Sequence, residues 1–212
     1  MLSLTRDPLN KVIFEGKTYH LDLAFDTVIQ YLQLSSDADL SDAEKTDCAI
    51  KLFLDDQDLP SDPNFYELVF DAISEEITSE PYGNNAQGGN PFGLAPIKYF
   101  DYVQDAEAIF ASFMSEYHIN LLEQRGKMHW RTFKALFDGL SDRSYMQRII
   151  TIRQRDLSEI DDSKAQQQLN EAKNYYMLDD SSVTEEKQDQ VEQTSALSAM
   201  FKAMQGQVRK GG

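Results

Sequence analysis

Apolar and polar positions change period several times along this chain, and each change marks an expected element. Val12-Ile-Phe14 and Thr18-Tyr-His-Leu21 are short runs rich in β-branched and aromatic residues on either side of Glu15-Gly16. Gly supplies the positive φ of a two-residue turn, so this stretch reads as a β-hairpin. A lone hairpin is marginal in water and needs a helical surface to dock on. From Leu23 the period becomes helical, with Phe25, Val28, Ile29 and Leu32 on one stripe and a polar break over 35–40. Ser41-Asp-Ala-Glu44 is a capping box opening a helix to about Leu54, with Cys48, Leu52 and Phe53 inward. Asp62-Pro63 is a second start signal, an N-cap followed by proline at the first helical position. Phe65, Leu68, Val69, Ala72, Ile73 and Ile77 then form one stripe. Residues 81–96 hold three prolines and four glycines, disfavour helix, and read as a linker and domain boundary.

The second half is helical again. A helix over about 103–117 places Ala106, Ile109, Phe110 and Phe113 on one face. Gly126 breaks the chain before a helix over 128–137 with Trp130, Phe133 and Phe137 on one side, and Gly139 fits a C-terminal cap. Asp142 or Ser144 opens the next helix, with Tyr145, Ile149 and Ile152 inward and Arg148, Arg153 and Arg155 outward. Residues 163–177 form a polar helix with few apolar anchors. Residues 179–194 are acidic and read as disordered. Leu197, Met200, Phe201, Met204 and Val208 then recur at amphipathic spacing, which fits a helix-in-groove ligand, a self-docking segment or an ordinary terminal helix. The expected fold is mainly α: two small helical modules, the first with an N-terminal β-hairpin, joined by a Gly/Asn/Pro-rich linker. The expected division is 1–80, a linker at 81–98, a module at 99–178 around Trp130, and a tail at 179–212.

Charge sharpens this picture. The net charge of the 212-residue chain is −16, and residues 1–80 alone carry 5 Lys+Arg against 18 Asp+Glu. Such a field repels nucleic-acid backbones and anionic lipid. Residues 123–155 are the exception, with 8 basic against 3 acidic residues. That segment either neutralises the acidic N-terminal module or meets a partner. The hydrophobic content of 41% supports a core, and the single cysteine, Cys48, excludes an internal disulfide framework and fits a reducing compartment. No run approaches the roughly 18 apolar residues of a membrane span, and no signal peptide is visible, so a soluble cytoplasmic protein is expected.

Catalytic and metal patterns fail one by one. His20, His118 and His129 lie far apart, and none has a second ligand at metal spacing. Calcium-loop registers begun at Asp37 or Asp56 lack the required glycine or the closing glutamate. Gly88-Gly89 is not followed by the Lys-Ser/Thr of a phosphate loop, and no Gly-x-Ser-x-Gly elbow is present. A non-enzymatic protein without metal or cofactor is expected.

Several motifs carry a family resemblance. They are Phe100-Asp-Tyr-x-x-Asp-Ala-x-x-Ile-x-Ala-Ser-Phe113, Tyr117-x-Ile-x-Leu121, His129-Trp130-x-x-Phe133-x-Ala-Leu136-x-x-Gly-Leu140, and Ile152-Arg153 followed by Asp156-Leu157. With the N-terminal hairpin and Glu44-Lys45, they resemble a phage family grouped with tail assembly chaperones. That family is encoded beside the tape-measure gene in long-tailed phages and prophages of Gram-positive bacteria. The likeness covers about residues 10–178; His118-Ile119 departs from a common Gly-Ile. It implies assembly without catalysis in the host cytoplasm, and absence from the finished virion. The tape-measure protein is the implied partner; tail-tube protein and a second assembly chaperone are further candidates, together with self-association. The alternative is a structural tail component or tail-completion protein retained in the virion. Candidate partner-binding residues are Trp130, Arg131, Phe133, Arg153 and Arg155 in the central stretch, and Leu197, Met200, Phe201 and Met204 in the tail. Trp130 and Phe133 also have core spacing.

Overall fold

A computed structural model describes residues 2–55, 58–79 and 99–179. Among these the elements run β1 (Lys11–Phe14), β2 (Lys17–His20), α1 (Phe25–Ser35), α2 (Asp42–Leu54), α3 (Pro63–Thr78), α4 (Ala106–Tyr117), α5 (Trp130–Asp138), α6 (Tyr145–Gln154) and α7 (Ser163–Tyr175). Two single-turn 3-10 helices, Leu121–Gln124 and Leu157–Glu159, join them. The fold is mainly helical with one small hairpin, as the periodicity predicts. The expected linker at 81–98 and the tail from 180 onward lie outside the described residues.

The chain forms two compact units. Among the described residues, the first unit comprises 2–79 with 125–134, and the second comprises 99–124 with 135–179. This differs from a division at one linker. The central stretch enters the first unit at Arg125 and leaves it within α5, after Lys134.

In the first unit, the strands pair antiparallel with Val12 opposite Tyr19 and Ile13 opposite Thr18. Glu15 (φ 49) and Gly16 (φ 80) both adopt positive φ, the conformation of a two-residue turn matched to strand twist. Val12 and Tyr19 are buried while Ile13 faces out. The hairpin docks on α3 through Phe65, whose ring lies 4.6 Å from Tyr19 and 5.5 Å from Phe14. Ser41 and Glu44 form both bonds of the capping box at the start of α2. Asp62 accepts from the Asn64 N–H above Pro63 to start α3. Tyr31 of α1 packs 5.0 Å from Phe53 of α2, and burial pushes its phenol up to about 12. The α3 stripe is rotated from expectation: Phe70 is buried and Leu68 is 40% exposed. The hairpin and the neighbouring helices together set which face of α3 is covered, and sequence spacing alone does not contain that information.

In the second unit, α4 packs on α6 through Ile109, Phe113, Met146 and Ile149, all buried. The Ser112 hydroxyl donates to the Ala108 carbonyl and accepts the Met146 N–H, so this buried polar group is fully used. Helix α4 starts at Ala106, three residues later than its pattern predicts. The Asp101 carboxylate accepts the N–H groups of Val103 and Gln104 and holds them in a turn. Ser144 caps α6, and Met146 is buried where Tyr145 was expected. Helix α7 buries no residue, in keeping with its polar sequence. Gly139 closes α5 without a positive φ. A Cβ there would lie 3.1 Å from the Ala135 carbonyl oxygen and 3.4 Å from the Tyr117 hydroxyl. Close approach rather than turn geometry therefore accounts for this glycine.

Candidate functional site

The segment 125–134 carries three of the residues expected to bind a partner, and it is built into the first unit. Gly126, at φ 65, turns the chain so that its N–H donates to the Asp26 carboxylate at 2.9 Å. Ala24 and His129 form an antiparallel bridge. In it the Phe25 N–H donates to the Met128 carbonyl (2.9 Å) and the Trp130 N–H to the Leu23 carbonyl (2.8 Å). The His129 ring is held at both nitrogens. Nδ1 accepts the Arg131 backbone N–H at 3.1 Å, so Nε2 is the protonated nitrogen and donates to the Leu9 carbonyl at 2.9 Å. Desolvation lowers the His129 pKa, against the opposing pull of the Leu9 carbonyl and of Glu76. Beside it lies a cavity of about 240 Å³, bordered by Asn10, Asp22, Leu23, Gly126, Lys127 and His129.

Arg131 is buried at the C-terminal end of α3. Its guanidinium donates to the Ser79 carbonyl and to the Glu75 carbonyl (2.9 Å), and its Nε lies 3.2 Å from the Glu76 carboxylate. A cation at this position satisfies terminal carbonyls and complements the negative end of the helix dipole. Phe25 stacks on Phe133 at 4.9 Å with an interplanar angle of 13°, and Trp130 stacks on Phe133 at 5.7 Å. Trp130 and Phe133 are 2% and 1% exposed. Of the two readings of Trp130 and Phe133, the burial supports core, and the expectation that Arg131 lies on a binding surface is corrected: it is core as well. Of the two readings of the basic segment, neutralisation describes Arg131.

Arg153 is corrected in the same way. Its guanidinium forks onto the Asp105 carboxylate at 2.6 and 2.8 Å, and also donates to the carbonyls of Tyr99 (2.9 Å) and Tyr176 (2.6 Å). Both side chains are below 10% exposed. Lys173 adds a bond to the Arg153 carbonyl at 2.8 Å, at the end of α6. Arg153 thus pins residues 99–105, α6 and the end of α7 in the second unit. The helical period of α6 carries no sign of this, because its partners lie 48 residues before it and 23 after it. Arg155 is exposed, as expected. Leu197, Met200, Phe201 and Met204 lie outside the described residues.

An exposed cluster in the second unit escapes the sequence patterns. Tyr175 is 80% exposed, Met177 62% and Val103 49%. Tyr176 packs edge-on against Tyr175 at 4.8 Å. Gln104 clamps the same region, donating to the Met177 carbonyl and accepting the Asp179 N–H. The aromatic pair ends a helix with no apolar stripe, so nothing in the local sequence separates it from solvated polar chain.

These features describe a small helical protein whose ionised groups at the expected site are structural, and whose second unit presents an aromatic and methionine-bearing surface. The chain belongs to the family described as Bacteriophage Gp15 protein, which matches residues 5–178. Neither the curated proteins nor the solved structures compared with it contain a match.

Proposed function

We propose that this phage protein acts in tail morphogenesis as an assembly chaperone. It binds the tape-measure protein in the host cytoplasm without catalysis, and leaves before the particle is complete. Family membership places it among bacteriophage proteins. The observation that carries the partner-binding reading is the surface of Val103, Tyr175 and Met177 on a chain of net charge −16. Aromatic and methionine side chains are enriched where proteins bind proteins, and methionine suits contacts that must exchange. The acidic remainder keeps the carrier itself in solution. Tail-tube protein and a second assembly chaperone are further partners on the same reading.

Co-expression with the tape-measure protein of the same phage tests this. The expected outcome is a soluble tape-measure protein that co-purifies with the chain, and a weaker complex with Tyr175→Ala/Met177→Ser. No gain in solubility and no co-purification would rule the proposal out. Mass spectrometry of purified particles separates the alternative, because a structural or tail-completion protein stays in the virion.

A further inference from the structure

Two oppositely charged faces, one on each unit, have complementary chemistry and nearly equal length. On α3 the side chains of Glu67, Asp71 and Glu75 are exposed at i, i+4 and i+8, with Leu68 beside them at 40% exposure. On α6, Arg148 is exposed with Tyr145, and Arg155 follows at the C-cap. No acidic residue occurs within Tyr145–Gln154. Arg148 sits 5.7 Å from the centre of the Tyr145 ring, and Tyr145 is 39% exposed. Among the described residues none of these five charged side chains forms an ion pair. At a rise of about 1.5 Å per residue, Glu67 to Glu75 spans about 12 Å and Arg148 to Arg155 about 10.5 Å. Each face has an apolar side chain next to its charges, Leu68 on one and Tyr145 on the other.

We propose that these faces join separate copies of the chain, α3 of one copy on α6 of another. The carboxylates of Glu67, Asp71 and Glu75 would meet the guanidinium groups of Arg148 and Arg155, while Leu68 packs against Tyr145. An α3-on-α6 contact either closes reciprocally between two copies as a symmetric dimer or repeats from copy to copy as a ring or an open chain. Net charge opposes it, since every copy carries −16. That repulsion acts over distance and is screened beyond about 8 Å at about 0.15 M salt, whereas paired groups in contact are screened less. The association is therefore strongest at intermediate ionic strength and is lost at about 1 M salt. It does not depend on the identity of any cargo.

Sedimentation velocity on the full chain at about 0.15 M salt, over a wide range of concentration, tests the inference. The wild type should show a mass that rises with concentration. R148E/R155E should weaken this by about tenfold or more, and so should E67K/D71K. The second variant discriminates, because it takes the net charge from −16 to −12 and general repulsion alone would then strengthen association. Mixing the two variants should restore association, since each supplies the face the other lacks. All four side chains are exposed, so circular dichroism and melting should be unchanged. A wild type that stays monomeric throughout would overturn the proposal. So would variants that associate like the wild type, or a mixture that does not recover.

Discussion

At the scale of single residues, the buried cations decide most about this protein. Arg131 and Arg153 each hold carbonyl groups from another part of their own unit and pair with a carboxylate. Removing one partner of such a pair leaves a buried charge uncompensated, which makes these positions structural first. His129 has a different kind of commitment. Its Nδ1 must stay unprotonated to accept the Arg131 N–H, and burial lowers its pKa from 6.5. The unfolded chain therefore binds this proton more readily than the folded one. Stability from His129 is complete above about pH 6.5 and falls as pH drops below that value toward the lowered folded pKa. Urea titrations between neutral pH and about pH 5 should show this loss in the wild type. In His129→Gln, which cannot take the proton, that part of the slope should disappear; an unchanged slope would show that other groups cause it.

At the scale of elements, local signals were legible and facing was legible only in part. The Glu15-Gly16 turn, the Ser41/Glu44 capping box and the Asp62-Pro63 start were all readable in sequence, because each is satisfied by atoms within a few residues. Leu68 and Tyr145 were assigned inward by periodicity and are exposed. A helix with apolar residues on more than one side can bury either, and the neighbouring element chooses. The end of α4 shows how local strain can be read. His118 stops the helix at φ 56 and ψ 31, in the left-handed region that favours glycine. A side chain there is strained relative to glycine, so His118→Gly should raise stability by about 1 kcal/mol. The gain is net of the weak contact of its ring with the Met114 carbonyl at 3.3 Å. A higher urea midpoint at unchanged slope would bear this out, and a lower one would show that the ring contact dominates.

At the scale of the whole molecule, the first unit is discontinuous in sequence. Its α1 entry pairs with residues 128–130, the C-terminal end of α3 is capped by Arg131, and Phe25 stacks on Phe133. A fragment of residues 1–80 lacks all three. It should show no cooperative thermal transition, whereas the full chain should. Cooperative melting of the fragment would show that the hairpin and α1–α3 suffice. A composition-based boundary misses this because a linker marks where the chain is soluble and irregular, not where a later segment returns.

The amino-acid sequence by itself determined the mainly helical class, the hairpin, most helix starts and the acidic character. Those follow from φ preferences, capping bonds within a few residues, hydrophobic period and charge, none of which needs distant partners. The core spacing of Trp130 and Phe133 was already legible; tertiary structure alone decided that Arg131 and Arg153 are core, and that Tyr175, Met177 and Leu68 face out. Burial belongs to pairs of surfaces, and the partners of Arg131 and Arg153 lie tens of residues away along the chain.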